Sequence, residues 1–118
     1  MWPELRHAYD AELVAARRAA AAGNFEHAFE HLGRAHILSQ RFTWRHVYSH
    51  WLMLKLGTST RDWPEVLGQV SRIVAAAMFS RIWVPVGNTG RANVNAMQPM
   101  PIPDDLRSVL ESSGLTKR

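Results

Sequence analysis

An alanine-rich run that stops at one glycine–asparagine pair most constrains how this chain can fold. The run AELVAARRAAAA ends at Gly23-Asn24, and FEHAFEHLGRAHILSQ follows it directly. Alanine is the strongest helix former, whereas glycine and asparagine commonly end helices. The pattern therefore predicts two helices, over residues 4–22 and 25–39. Because the connection is so short, the two helices must run antiparallel.

Two further long helices are predicted after this hairpin. The third spans residues 44–56, with Thr43 as its N-cap and Gly57 as its stop. Its residues are apolar nearly all round, which predicts a central helix that is buried on every side. Asp62 is the expected N-cap of a fourth helix that reaches residue 82.

The chain changes character between residues 84 and 103, a segment that we call the strap. Its sequence, VPVGNTGRANVNAMQPMPIP, contains four prolines and two glycines. These residues exclude a helix, and no alternation of apolar and polar residues indicates a strand. The segment is too apolar for a disordered tail. We therefore expect an ordered, irregular loop laid across the helices, followed by a short helix over residues 104–113.

The first helix pair resembles a tetratricopeptide repeat. The small, aromatic and apolar positions of that motif are filled, in order, by Gly23, Phe25, Ala28, Leu32 and Ala35. Small residues at these positions let two helix axes approach closely. The third and fourth helices would form a second, degraded copy. This pattern predicts a single all-α domain over residues 1–118, built from antiparallel helical hairpins, and no peptide-binding function is carried over from the motif.

Five segments follow one another along nearly the whole chain: HAYDAEL, HLGRAHILSQRFTWRHVYSHWLML, EVLGQVSRI, VPVGNTGRANVNAMQPMPIP and DDL. In this combination they resemble a family of short bacterial proteins that is catalogued only as a domain of unknown function. The resemblance implies that the strap is an integral part of the fold. It implies no activity, substrate or site.

Composition excludes several classes of protein. The absence of cysteine excludes disulfides, a cysteine nucleophile and thiolate metal ligands, and it fits a reducing compartment. The net charge of +4 is spread too thinly for a duplex-binding stripe, so no nucleic-acid binding is expected. The longest apolar stretch, IVAAAMF, is far shorter than the ~20 residues of a membrane-spanning helix. The N-terminus MWPELRHAYD is too charged for a signal peptide, and a cytoplasmic location is expected.

The histidines are the first candidate site. Five of the six lie within the second and third predicted helices: His27, His31, His36, His46 and His50. Residues four apart share one helix face at ~6 Å, which is a natural platform for two metal ligands. In an antiparallel hairpin, His36 comes level with His46, and His50 lies one turn further along. This register predicts a zinc, nickel, copper or iron site at His36, His46 and His50, with His31 as a candidate fourth ligand, and with Gln40, Glu30 or water completing the shell.

A purely structural role is the alternative for the same histidines. A buried imidazole can bond a helix carbonyl or a neighbouring side chain and serve only packing. The chain also lacks H-E-x-x-H, and it lacks the repeated Glu-x-x-His pairs of a di-iron bundle. Both interpretations therefore stay open at the level of sequence.

The strap contains a second candidate site, for an anion. Backbone N–H groups of a glycine-rich turn can hold an anion beside an arginine. The residues concerned are Gly87, Asn88, Thr89, Gly90 and Arg91. The segment lacks the lysine and following helix of a P-loop, and a tight structural turn is the alternative.

Taken together, these patterns predict a small cytoplasmic helical protein that acts as a non-catalytic binding or adaptor module, with a protein partner or a second copy of itself. The alternative is a transition-metal- or cofactor-binding protein that uses the histidine cluster. Ser49 and His50 are not a nucleophile–base pair, because adjacent helical residues diverge by ~100°. The sequence favours no enzymatic activity, although it does not exclude one. An adaptor requires a sizeable apolar surface, whereas a metal protein requires converging imidazoles.

Overall fold

The computed structural model describes residues 1–79, 86–92 and 98–115 of the chain. The described part contains five helices: α1 Pro3–Ala21, α2 Phe25–Ser39, α3 Thr43–Thr60, α4 Trp63–Phe79 and α5 Asp104–Ser112. No strand occurs in these ranges, and the predicted all-α class is confirmed. Consecutive long helices pack pairwise, α1 on α2, α2 on α3 and α3 on α4, while α5 contacts α1 and α2. That all of residues 1–118 form one domain stays a prediction.

The turn between α1 and α2 is the one that the sequence predicts. Gly23 has a φ of +77°, in the left-handed region that favours glycine. Its N–H donates to the Ala20 carbonyl at 3.0 Å, and the Asn24 N–H donates to the Ala19 carbonyl at 2.8 Å. These bonds satisfy the last carbonyls of α1, and the chain reverses at once into α2.

The predicted ends of α3 are wrong. The helix spans Thr43–Thr60, with Phe42 rather than Thr43 as its N-cap, and Gly57 lies inside it. Gly57 serves packing instead of stopping the helix, because a Cβ there would lie 3.3 Å from the nearest side-chain atom of α4. The helix ends at Arg61, whose φ of +58° is left-handed.

The prediction that α3 is buried on every side is also wrong. One face of the helix is buried, but three aromatic side chains on it are exposed: Trp44, Tyr48 and Trp51. Among the described residues, two apolar clusters form the core. One joins α1, α2 and α5, and the other joins α1, α2 and α3. The exposed aromatic side chains of α3 belong to neither cluster.

The fourth helix begins as predicted. Asp62 accepts a hydrogen bond from the Glu65 N–H at 3.3 Å, which is an N-cap contact. The predicted end at residue 82 lies outside the described residues, as do residues 84–85 and 93–97 of the strap. In the described part of the strap, residues 86–92 lie against α2 and α4.

Candidate metal centre

Three imidazoles meet in the interior between α2 and α3. His36, His46 and His50 are 2, 5 and 3% exposed. The His36 Nε2 atom lies 2.8 Å from Nε2 of His46 and 3.2 Å from Nε2 of His50. A tetrahedral ion with nitrogen ligands at 2.0–2.1 Å holds those nitrogens about 3.3 Å apart. The structure thus brings together the three histidines that the hairpin register predicts to meet: Nε2 of His36 faces Nε2 of each of the other two, and the ligand nitrogens of all three lie within 4.8 Å of one another.

Hydrogen bonds on the far side of two rings determine where the protons lie. His36 Nδ1 is 2.7 Å from the Asn88 carbonyl oxygen, which can only accept, so this nitrogen carries the proton. His50 Nδ1 is 2.5 Å from Gln69 Oε1. The amide of Gln69 is oriented by its Nε2, which donates to the Gly90 carbonyl at 2.8 Å. His50 therefore also carries its proton on Nδ1.

The contact between His36 and His50 consequently contains no proton. A neutral imidazole has one N–H, and in both rings it is used on Nδ1. Their two Nε2 lone pairs face each other at 3.2 Å in a buried site. His46 can donate to His36, but among the described residues its own Nδ1 then has no hydrogen-bond partner. A cation between the nitrogens would remove the repulsion between the two lone pairs.

A proton is an unfavourable cation at this place. Burial is the main cause that lowers the pKa of His46 to about 3 and of His50 to about 4, and it also holds the pKa of His36 well below its ordinary value. Repulsion from His50 and His46 further lowers the pKa of His36, and repulsion from His50 further lowers the pKa of His46. The three rings are thus neutral at pH 7, which is the state that binds a metal ion.

We expect the metal-free protein to lose stability as the pH falls below about 6.5. Unfolded histidines take up protons near that pH, whereas His46 and His50 in the fold resist until about 3 and 4. The contribution of these histidines to the free energy of unfolding is therefore fully present above pH 6.5. It falls towards pH 4 by ~1.4 kcal/mol per pH unit for each such histidine. Urea denaturation between pH 7.5 and 4.5 measures the slope. The slope should be shallower in a His46→Leu variant, and an unchanged slope would contradict the lowered pKa of His46.

Two side chains orient the triad in a way that the sequence does not predict, since Asn88 is expected in the anion site and Gln69 in no site. Asn88, 1% exposed, accepts from the Gly90 N–H at 2.8 Å and donates to the Gln98 carbonyl at 2.7 Å, which fixes the carbonyl that binds His36. Gln69, fully buried on α4, fixes His50. The sequence feature that could have indicated Gln69 is that it is the single glutamine within the largely apolar run VLGQVSRIV.

The strap lies directly on the triad at Gly90. A Cβ at this position would lie 2.7–2.9 Å from three atoms of the His36 ring, and the φ of Gly90 is +77°. Both facts require glycine here. The backbone of the strap therefore covers His36, and the ring is held between this backbone and the other two imidazoles.

A buried ion pair anchors the strap to α4. Glu65, 3% exposed, bonds the Arg91 guanidinium and accepts from the Ala92 N–H at 2.6 Å and from Gln69 Nε2 at 3.1 Å. The guanidinium carbon of Arg91 lies 3.9 Å from the centre of the Phe29 ring, a cation–π contact. The pair thus connects the strap through Gln69 to His50.

The groups of the predicted anion site bond within the chain. The Gly87 N–H donates to Gln40 Oε1 at 3.1 Å, the Gly90 N–H donates to Asn88 Oδ1, and Arg91 binds the buried carboxylate described above. Thr89 packs against α2. An anion would compete with these bonds. The anion site stays a prediction, and Gln40, the suggested extra metal ligand, serves the strap backbone in this structure.

His31 belongs to a different cluster. Its Nδ1 lies 2.7 Å from Glu12 Oε2, and Arg34 bridges the same carboxylate to Asp105 on α5. The group of potential metal ligands found among the described residues contains His36, His46 and His50 without His31. The nearby Glu30 side chain is exposed.

One family model matches the chain, over residues 3–110, and its description is "Protein of unknown function (DUF3703)". The chain belongs to the DUF3703 family. The match covers all five helices except the last two residues of α5, and it includes the histidine triad and the strap. The family resemblance seen in the sequence is thereby confirmed, and the description of the DUF3703 family names no activity. No curated protein and no solved structure matches the chain.

No helix in the described part of this DUF3703 chain is both long enough and apolar enough to cross a bilayer. This finding agrees with the expectation drawn from the apolar runs of the sequence.

Proposed function

We propose that this chain is a transition-metal-binding protein that holds one ion between the Nε2 atoms of His36, His46 and His50. The observation that carries the proposal is the pair of proton-free Nε2 atoms that face each other at 3.2 Å inside the core. Such a contact is unfavourable unless a cation lies between the lone pairs. Burial opposes a proton there, and a metal ion is the cation that three neutral imidazoles bind.

The surroundings of the triad are those of metal-binding histidines. A ligating histidine commonly donates its other N–H to a carbonyl or carboxylate, which fixes its tautomer and orientation. Asn88 and Gln69 accept these bonds from His36 and His50. Three imidazoles without thiolate suit zinc, copper, nickel or iron. A ligand beyond the triad would complete the coordination shell.

The ion would link parts of the fold that are distant in sequence. His36 lies on α2, while His46 and His50 lie on α3. Their partners Asn88 and Gln69 belong to the strap and to α4. Because the rings are at most 5% exposed, a substrate cannot reach them without movement of the strap. The arrangement therefore favours a protein that binds and retains a metal over one that catalyses a reaction.

Elemental analysis of protein purified without an affinity tag or a chelator tests the proposal. We expect close to one equivalent of zinc, nickel, copper or iron per chain, and a loss of nearly all of it in a His46→Ala/His50→Ala variant. The matched control is His27→Ala/His31→Ala, which removes another pair four residues apart and should keep the metal. Wild-type protein that holds no ion after incubation with each of the four metals would refute the proposal.

An adaptor function is the second candidate, and a surface groove favours it. A cavity of about 320 Å³ lies between α1, α2 and α3, with an apolar floor that includes Ala28 and Leu32. Arg17 and Lys55 also line it. Its volume is at the small end of the range for ligand sites. An adaptor needs no ion, so failure of all four metals in the experiment above would leave this groove as the better-supported function.

A further inference from the structure

The outward face of α4 carries an apolar stripe. Five large side chains on it are more than half exposed: Trp63 55%, Leu67 73%, Val70 52%, Val74 58% and Met78 64%. At ~100° per residue they fall within an arc of about 80°. Their spacing of four and three residues is that of a helix that pairs with another helix along a seam. Large exposed apolar patches of this kind mark interaction sites.

This stripe is uncharged, which narrows the choice of partner. The charged residues of α4 are Glu65 and Arg72, and both face the strap: Glu65 is buried, and Arg72 donates to the Gly90 carbonyl at 3.0 Å. A partner with a charged docking face would find no complementary charge on the stripe. A second copy of the same stripe meets no repulsion from like charges.

We propose that two copies of the chain associate through this face of α4, antiparallel about a two-fold axis beside Val70. The stripe is symmetrical about the midpoint between Val70 and Ser71, since Trp63 and Met78 lie equally far from that midpoint, as do Leu67 and Val74. An antiparallel pair therefore sets Trp63 against the partner's Met78, which is a favourable sulfur–aromatic contact. It also sets Leu67 against the partner's Val74 and places the two Val70 side chains beside the axis, one from each copy, so both copies use the same patch, as an isologous interface requires.

The stripe is large enough for such an interface. An aromatic or long aliphatic side chain offers roughly 150–200 Å² when fully exposed, so five of them at these exposures present on the order of 500 Å². Two stripes would bury about 1,000 Å², the lower limit for a specific association. We therefore expect a dimer that dissociates on dilution. This interface contains none of the metal-site residues, so we expect it to form whether or not an ion is bound.

Disulfide trapping tests both the association and its direction, because the chain contains no cysteine. With diamide as oxidant, Val70→Cys should give a disulfide-linked dimer. The control is Trp2→Cys, because Trp2 is 59% exposed but lies outside the stripe, and this variant should give no linked dimer at the same concentration. Met78→Cys alone should link poorly, and Trp63→Cys/Met78→Cys should link well. Efficient linking of Met78→Cys alone would indicate a parallel pair and overturn the proposal.

Sedimentation equilibrium provides the non-covalent test. Leu67→Glu/Val74→Glu should raise the dissociation constant of the dimer by at least about 100-fold, because it places charges in the centre of the seam. Trp44→Glu, at an equally exposed position on α3, should leave the constant unchanged. A wild-type chain that stays monomeric at millimolar concentration, or a Val70→Cys variant that links no faster than Trp2→Cys, would refute the proposal.

Discussion

Zinc added to the metal-free protein should raise the free energy of unfolding by about 4 kcal/mol when the free ion exceeds its dissociation constant 1,000-fold. The increase arises because the folded chain presents three converging nitrogens, whereas the unfolded chain does not. For a domain of 118 residues this corresponds to a rise in melting temperature on the order of 10–20 °C. Differential scanning calorimetry of chelator-treated protein, with and without each of the four metals, measures it.

The sharpest variant for this experiment is His46→Leu. Leucine occupies a similar volume and removes Nδ1 of His46, a buried atom that has no hydrogen-bond partner among the described residues. This gain offsets the loss of the contact between His46 Nε2 and His36 Nε2. The metal-free stability should therefore change by less than about 1.5 kcal/mol. The gain on adding metal should disappear. This pairing of effects separates a ligand from a core residue, because a core residue would alter stability equally with and without metal.

The control for that variant is His27→Ala/His31→Ala, which should retain the full gain. His27 bonds Asn24 at the surface, and His31 bonds Glu12, so neither side chain contacts the triad. A gain in wild type that persists in His46→Leu would assign the ion to another site and contradict the proposed centre.

The triad could be predicted from the sequence because its geometry is local. A tight turn between two helices sets which residues come level, and the helical repeat sets which of them share a face. From these two facts His36, His46 and His50 are expected to meet, and the structure places them so. The same reasoning could not exclude His31, since the position of α1 determines that His31 contacts Glu12.

The partners of the triad could not be predicted, because they depend on contacts between distant parts of the chain. Asn88 is 52 residues beyond His36, and no periodic pattern relates an irregular strap to a helix. The error at Gly57 has a similar origin. A glycine near the end of an apolar run indicates a stop by local rules, but at this position it allows α4 to pack closely on α3.

The tryptophans of α3 and α4 show a different limit of sequence reasoning. An apolar helix is buried all round only where every side has a neighbour. Trp44 and Trp63 are 73% and 55% exposed, and the sequence alone does not tell how many neighbours a helix has. In the proposed dimer, the second copy of α4 would cover Trp63.

Arg91→Ala should lower the free energy of unfolding by about 3–5 kcal/mol. The guanidinium binds Glu65, which is 3% exposed, and its removal takes away the cation that bonds this buried carboxylate, leaving Arg72 as the other cation that acts on it. Losing one partner of a buried ion pair costs this much, because the remaining charge stays desolvated. Urea denaturation at pH 7 measures the loss. The matched control is Asp105→Asn, which removes the largely exposed partner of Arg34, and a loss of about 1 kcal/mol or less is expected there.

The double variant Arg91→Ala/Glu65→Gln distinguishes the stranded charge from simple loss of packing. Glutamine keeps an oxygen that can accept from the Ala92 N–H, but it carries no charge. Most of the lost stability should return if the unpaired carboxylate is its cause. No recovery would mean instead that the contact of Arg91 with Phe29 holds the strap.

Because the same carboxylate bonds Gln69, which orients His50, Arg91→Ala should also weaken metal binding by about 10–100-fold.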